Sequence, residues 1–372
     1  MAIDAHMLGD MSGGNETYYR NVLQNMYPSE GMEIFLFVKE GIDVSAYEDR
    51  FTIVYLPNHG ASVRNLIDIP LLCMKHHIDV LHMQYFIPFF RPCPVVTTIH
   101  DICFEHYKDI FTMREYVRQK LLVRYAAKHS DYIVTVSNFS KQDICSCYGI
   151  PKEKVTITYN AVDKKYRELS SEELDIGTLR QKFNIKGEYI LSVCNLQPRK
   201  NMKRLILAYN KLCKDYQYDG QLVIVGKKAW MYDEIFGAAE IINKENGEID
   251  RILFTDYVSE EDLVRLYNGA KCFVYPSYYE GFGIPPLEAL ACGTPVAVSS
   301  ATALPEVVGM AGVYFDPFDI DDICESINGI LTDIKKNGEI TAQREISKQA
   351  GKYSWYLAAE KLKNLYEEAA RR

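Results

Sequence analysis

The sequence predicts two doubly wound α/β domains facing each other across a cleft. Three observations predict it. Short, continuous apolar runs alternate with helical patterns along the whole chain. Those runs lack polar alternation, so each would be buried on both faces, as strands of a parallel sheet are. The chain has 372 residues, enough for two units of roughly 100–200 residues each.

In the first half, β-rich runs lie at 34–38, 51–55, 80–82, 95–99, 132–136 and 155–159, with a helical pattern at 113–128. In the second half they lie at 189–193, 222–225, 252–254, 272–275 and 296–298, separated by helical patterns at 202–214, 260–268 and 285–291. Alternation of this kind is the mark of parallel α/β units. The polar stretch 163–188, with KKYRELSSEELD and KFNIKGE, reads as the join. It sets the domains at 1–165 and 166–352. No internal repeat is visible.

Composition narrows the class. Hydrophobic residues make up 48% and charged residues 25%, a globular balance that excludes disorder and low complexity. No apolar run approaches the ~20 residues of a membrane span. The start, MAIDAHMLGDMSGG, has neither the basic nor the long apolar stretch of a signal peptide. A soluble cytoplasmic protein is expected. The net charge of −8 argues against a nucleic-acid partner, which would call for a basic stripe. Of the ten cysteines only Cys145 and Cys147 lie close together, so reduced thiols are expected rather than a zinc site or a disulfide framework.

In open α/β sheets, ligands bind beyond the carboxyl ends of the strands. The most informative such place is CFVYPSYYEGFGIPPLEALACGTPVAVS, 272–299. It reads as strand, loop, helix, turn, strand. Pro285 and Pro286 suit a first helical turn, and Gly293 a helix end. The loop Glu280-Gly281-Phe282-Gly283 lets the backbone approach a ligand just before a helix N-terminus, a candidate phosphate cradle. Glu288 is expected in the first turn of that helix. Carboxylates at Glu280 and Glu288 accept hydrogen bonds from hydroxyls, so cradle and carboxylates together suit a sugar nucleotide. A loop cap and a first-turn dipole residue would account for the same pair.

Arg199 and Lys200 follow the 189–193 run and precede a helix. Cations there oppose the helix dipole. A bound diphosphate would explain them through charge-assisted hydrogen bonds, and so would a solvated basic turn. Gly226 ends the 222–225 run, where glycine permits close approach of a neighbouring backbone or a ligand. His100, just past the 95–99 run, can donate to a sugar hydroxyl, or serve as a satisfied structural histidine. Gly13 and Gly14 precede an amphipathic helix but follow no strong strand. With no G-x-G-x-x-G there and no G-x-x-x-x-G-K-[ST] anywhere, neither a nicotinamide fold nor a P-loop is expected. The basic amphipathic stretch 113–128, with Arg114, Arg118, Lys120, Arg124 and Lys128, could rest on anionic lipid or present a solvated face. The aromatic stretch QYFIPFFRP, 84–92, follows a strand.

Glu280 and Glu288 resemble the E-x7-E motif of retaining glycosyltransferases, and YPSYYEGFGIPPLEALACGTPVAVS resembles family 4 of those enzymes. The resemblance extends over SGGNETYYRNVL, TIHDICF, LSVCNLQPRKN, LVIVGKKAW and ALPEVVGMAGVYFDP. It implies the GT-B fold, with a C-terminal domain for the nucleotide-sugar donor, an N-terminal domain for most of the acceptor, and a last helix, 353–372, returning to the first domain. By the same resemblance Glu280 contacts the donor sugar and Glu288 holds the ribose diol. Arg199 and Lys200 neutralise the leaving diphosphate. Backbone N–H groups at Gly14, Phe282, Gly283 and Ile284 hold phosphate and sugar, beside Gly281 and Gly226, and His100 bonds the transferred sugar. No metal or other cofactor is implied, and Asp319-Ile320-Asp321 reads as a helix cap. The expected donor is GDP-mannose or a UDP-hexose. The expected acceptor is a saccharide or lipid-linked saccharide, which admits a peripheral contact with the inner membrane face. Two departures stand out: Asn195 lies where many relatives carry arginine, and Asp256 where many carry glycine. A sugar-nucleotide epimerase and a non-catalytic nucleotide-sugar binding subunit are the competing classes.

Overall fold

A computed structural model describes residues 1–9, 13–245, 250–337 and 348–371. The chain divides into two compact units, Met1–Asn160 with Ser354–Arg372, and Ala161–Tyr353. The 163–188 stretch belongs wholly to the second unit, where it forms two short helices, Ser171–Leu174 and Ile176–Phe183.

Among the described residues the first unit is built on seven parallel strands: β1 (Ala2–Asp4), β2 (Phe35–Val38), β3 (Thr52–Tyr55), β4 (Leu81–Gln84), β5 (Val95–Thr98), β6 (Tyr132–Thr135) and β7 (Val155–Ile157). Their order is β3-β2-β1-β4-β5-β6-β7. β1 precedes Gly13, where the sequence shows no strong strand. It is three residues long, too short to show a period, yet it pairs with both β2 and β4 at the centre of the sheet. The terminal helix Trp355–Ala370 buries Trp355, Ala359, Leu362 and Tyr366 within this unit. Tyr366 donates to or accepts from buried His82 at 2.6 Å, and His82 meets Thr98 through its other ring nitrogen at 2.7 Å.

Among the described residues the second unit has six parallel strands: β8 (Tyr189–Val193), β9 (Gln221–Val225), β10 (Ile252–Phe254), β11 (Cys272–Tyr275), β12 (Val296–Ser299) and β13 (Gly312–Phe315). They run β10-β9-β8-β11-β12-β13. β13 went unread because it is a half-exposed edge strand opening on glycine. Helix Met202–Tyr216 buries Leu205, Ile206, Tyr209 and Leu212, one apolar stripe at helical spacing. Helix Glu260–Gly269 starts at Ser259, whose Oγ accepts from the Asp262 N–H at 3.2 Å. All ten cysteines are unbridged. No described helix is long and apolar enough to cross a membrane.

Candidate active site

In each sheet the direction of winding reverses once, between β1 and β4 and between β8 and β11. At such a switch point the two strand exits diverge and leave a crevice for ligand. In the second unit β8 and β11 are paired neighbours (Cys272↔Ile190, Phe273↔Leu191). Their exits carry the candidate cations and the candidate carboxylate.

β8 leads into the tight turn Pro198–Lys200. β11 leads into 276–283 and then the helix Ile284–Ala291. Cross-links fix one loop on the other. Asn201, left-handed at φ +60°, donates to the carbonyls of Pro276 (3.1 Å) and Pro317 (2.6 Å). The Arg199 carbonyl accepts from Ser277 Oγ (3.0 Å) and from the Tyr278 N–H (3.2 Å). Lys200 Nζ thereby comes to lie 2.5 Å from Glu280 Oε1 and 2.7 Å from Tyr275 Oη. Arg199 reaches Glu280 Oε2 at 3.2 Å and the Tyr279 carbonyl at 3.0 Å. The Tyr275 hydroxyl donates to Glu280 Oε1 at 3.0 Å, and the Glu280 N–H donates to Thr302 Oγ1, also at 3.0 Å.

Lys200 and Glu280 are both buried. Burial disfavours the Glu280 charge, but Lys200 and Arg199 outweigh it and hold the carboxyl at about 2. Burial, reinforced by Arg199, lowers Lys200 from its ordinary value, while Glu280 opposes the shift. Two cations thus face one carboxylate, leaving one positive charge among these three groups. That excess suits a ligand bringing negative charge. The cations by the helix start already have one reason to be there, which is Glu280.

Glu288 belongs to a different set of bonds. It is the fifth residue of the helix Ile284–Ala291, in the second turn rather than the expected first, because Gly283, left-handed at φ +94°, starts the helix at Ile284. Tyr267 Oη donates to Glu288 Oε2 at 2.9 Å, and the Tyr166 hydroxyl bonds it as well. Burial pushes Glu288 up to about 7, against the smaller opposing effect of the two tyrosines. Pro285 and Pro286 have no N–H, so the helix start offers those of Gly283 and Ile284, next to Gly281 and Phe282. The Phe282 ring packs edge-on against Tyr353 at 5.3 Å.

Gly226 has a backbone reason to be glycine. A Cβ there would stand 1.7 Å from the Cys194 carbonyl oxygen, because the exit of β9 runs against that of β8. Its N–H donates to the carbonyl of Asp256 (3.0 Å), which occupies a left-handed position at φ +54°. Asp319 caps the helix Ile320–Asn337 by accepting from the N–H groups of Asp321 (2.8 Å) and Asp322 (3.3 Å). Among the described residues no group of three or more His, Cys, Asp or Glu could hold a metal ion.

In the first unit, His100 follows β5 and is buried between Tyr18 (rings 5.0 Å apart, edge-on) and Tyr85 (5.8 Å). Its Nε2 is buried without a hydrogen-bond partner among the described residues. Burial alone drives its pKa down to about 3, so the ring is neutral. Gly14 opens the helix Gly14–Gln24, with Gly13 at φ +80° before it.

Sequence reading missed the tyrosines. Tyr275, Tyr267 and Tyr166 pass as core aromatics in an apolar pattern. The signal that could have found Tyr275 is its place as the last residue of a strand entering the crevice. Thr302, left-handed at φ +58° without being glycine, gave no signal at all.

Comparison with known proteins converges on one family. Residues 175–353 match the family model described as glycosyl transferases group 1, and residues 12–166 the model described as glycosyltransferase family 4. The O-antigen chain mannosyltransferase B of Escherichia coli is 36% identical over 73% of this chain and 70% of its own length. The serotype-specific mannosyltransferase WbdA of the same organism is 31% identical over 71% of this chain, but this chain spans only 32% of its length. Among solved structures, WaaG, described as a glycosyltransferase involved in lipopolysaccharide biosynthesis, superposes with a TM-score of 0.73 at 18% identity, over 95% of this chain and 96% of its own. That likeness concerns the GT-B fold.

Proposed function

The chain belongs to glycosyltransferase family 4, and on that premise we propose that it moves a mannosyl residue from a nucleotide-diphosphate sugar, GDP-mannose foremost, onto a saccharide of a growing surface polysaccharide. The reaction retains anomeric configuration and needs no metal ion or other cofactor. The acceptor is a lipid-linked saccharide, and the enzyme works at the inner membrane face. The observation that carries the reading is the cluster of buried Lys200 and Glu280 with half-buried Arg199 at the switch point of the second unit. Its excess positive charge suits a departing diphosphate, the role that a metal ion would otherwise fill.

On this reading the incoming diphosphate takes over Arg199 and Lys200, which frees Glu280 to accept hydrogen bonds from the sugar hydroxyls. Glu288 takes the ribose diol. The N–H groups of Gly283 and Ile284 hold phosphate at the helix start. His100 bonds a sugar hydroxyl through Nε2. The E-x7-E block and the likeness to mannosyltransferases favour transfer over epimerisation or silent binding.

The test is incubation with GDP-mannose, UDP-glucose and UDP-N-acetylglucosamine, with and without chelator, followed by product analysis. Slow donor hydrolysis, or transfer to an α-linked product, supports the reading. Epimerised donor, or binding without turnover, would remove it. A thermal-shift screen with GDP and UDP identifies the base, since a ligand of the folded state alone raises Tm.

His100→Phe keeps the ring contacts to Tyr18 and Tyr85 but removes the nitrogen. It is expected to lower kcat/KM about 10-fold, the size of one lost hydrogen bond, with Tm unchanged or raised. Because His100 is neutral above about 3, the pH profiles of parent and variant should run parallel from pH 5 to 9. Unaltered kinetics in the variant would assign His100 to packing.

A further inference from the structure

We propose that one outer face of the first unit docks on an anionic lipid bilayer. The proposal rests on the reading of a lipid-linked acceptor and adds the surface that makes the contact.

Three segments build that face. The helices Ile69–Lys75 and Met113–His129 share one core cluster through Ile69, Cys73 and Ala126, with Leu72 and Tyr125 at its margin. The loop after β4 enters the same cluster through Ile87. It also lies against the longer helix, since Phe89 meets Tyr125 edge-on at 4.9 Å and Arg118 stands over Phe86 at 5.9 Å. The segments therefore form one continuous surface on one side of the sheet.

That surface exposes what a water-facing surface usually hides. On the long helix Met113, Val117 and Leu121, spaced four apart on one ridge, are 72%, 44% and 65% exposed. The inward side of the same helix is already filled by Val123, Ala126 and Ala127. At the loop tip Phe89 and Phe90 are each about 60% exposed. On the shorter helix Leu71 and Met74 are exposed as well. A patch made of two helices and an aromatic loop marks an interaction site rather than scattered exposure.

Charge identifies the occupant. Arg114, Arg118, Arg124 and Lys128 are exposed along the long helix, and Lys120 is partly so. Its one acid, Glu115, is engaged in the capping box with Thr112. Arg91 is the charge of the loop. This positive surface stands on a chain whose net charge is −8, so it is a local concentration. A second copy docking through the same face would set cations against cations. An anionic bilayer supplies both negative headgroups and hydrocarbon for Phe89, Phe90 and Leu121.

The experiment is vesicle flotation of the full chain with phosphatidylcholine alone and with added phosphatidylglycerol, at low and high salt. Two variants accompany it: Phe89→Ser/Phe90→Ser, and Arg114→Ser/Arg118→Ser/Arg124→Ser. Binding should need phosphatidylglycerol, weaken with salt, and fall roughly 100-fold in the triple variant. The phenylalanine pair should lose binding with circular dichroism and donor hydrolysis unchanged. No flotation, equal flotation on neutral vesicles, or binding indifferent to both variants would overturn the proposal. So would a solution dimer dissolved by Phe89→Ser/Phe90→Ser, which would make a second copy the occupant. Donor hydrolysis is read separately. Its absence in the parent would strike the catalytic reading and leave the flotation result standing.

Discussion

Lys200→Ala is expected to lower kcat/KM for donor by about 10²–10³-fold, the loss that follows removal of one preorganised charge-stabilising donor. The effect should appear in kcat at saturating donor, because negative charge on the diphosphate grows as the glycosidic bond breaks. An interaction made equally in ground and transition states would raise KM alone. The variant must also tolerate the loss in its resting state. Glu280 is buried and would lose its 2.5 Å partner. Breaking a buried pair by removing one member costs about 3–5 kcal/mol where nothing else compensates. Here Arg199 and the Tyr275 hydroxyl remain on the carboxylate, so the stability loss should fall below that range and the protein should stay folded. Lys200→Arg keeps the charge but not the compact ammonium, and should recover stability more fully than rate. Near-normal turnover by Lys200→Ala at saturating donor would take Lys200 out of the chemistry and leave it a structural partner of Glu280.

The same cluster shows how much of the site the sequence carries. Glu280 and the Arg199–Lys200 pair lie eighty residues apart, so no local spacing joins them. They become legible together once both are placed just after strands of one parallel sheet, since the strand exits at a switch point border one crevice. What stays hidden is their resting state. Nothing in the string says that Glu280 is gripped by both cations, or that Tyr275 bridges carboxylate and ammonium, because an apolar run ending in tyrosine reads as core. The fold behaves likewise. Eleven strands announce themselves as apolar runs. β1 and β13 do not, since a three-residue strand has no period and an edge strand opening on glycine has little apolar signal. Sequence leaves Gly226 open between ligand and backbone; the fold adds a backbone reason for glycine, since a Cβ there would stand 1.7 Å from the Cys194 carbonyl oxygen.

Glu288 carries the second large effect, in which stability and affinity move in opposite directions. Its folded pKa is raised to about 7 from an ordinary 4.5, so the folded state holds a proton that the unfolded chain has released. The stabilisation is therefore fully present below pH 4.5 and is lost as pH rises through 7. At about 1.4 kcal/mol per unit, the loss across that window is ~3 kcal/mol. Glu288→Gln removes the ionisable group but keeps an acceptor for Tyr267. At pH 8 it should unfold later than the parent, by up to roughly 10 °C for a domain of this size, while at pH 4.5 the two should coincide. On the proposed reading the carboxylate exists to accept the ribose hydroxyls, a charge-assisted contact worth roughly 10–100-fold in affinity. Donor binding by the parent should then strengthen with pH up to about 7 and level off, with proton release below that pH measurable by calorimetry in buffers of different ionisation enthalpy. Glu288→Gln should bind donor more weakly and with a flat pH profile. Greater stability at pH 8 together with weaker donor binding is the signature of a residue kept for function at a cost to the fold. A variant that gains stability and binds donor as tightly as the parent would leave Glu288 a buried acid without a ligand.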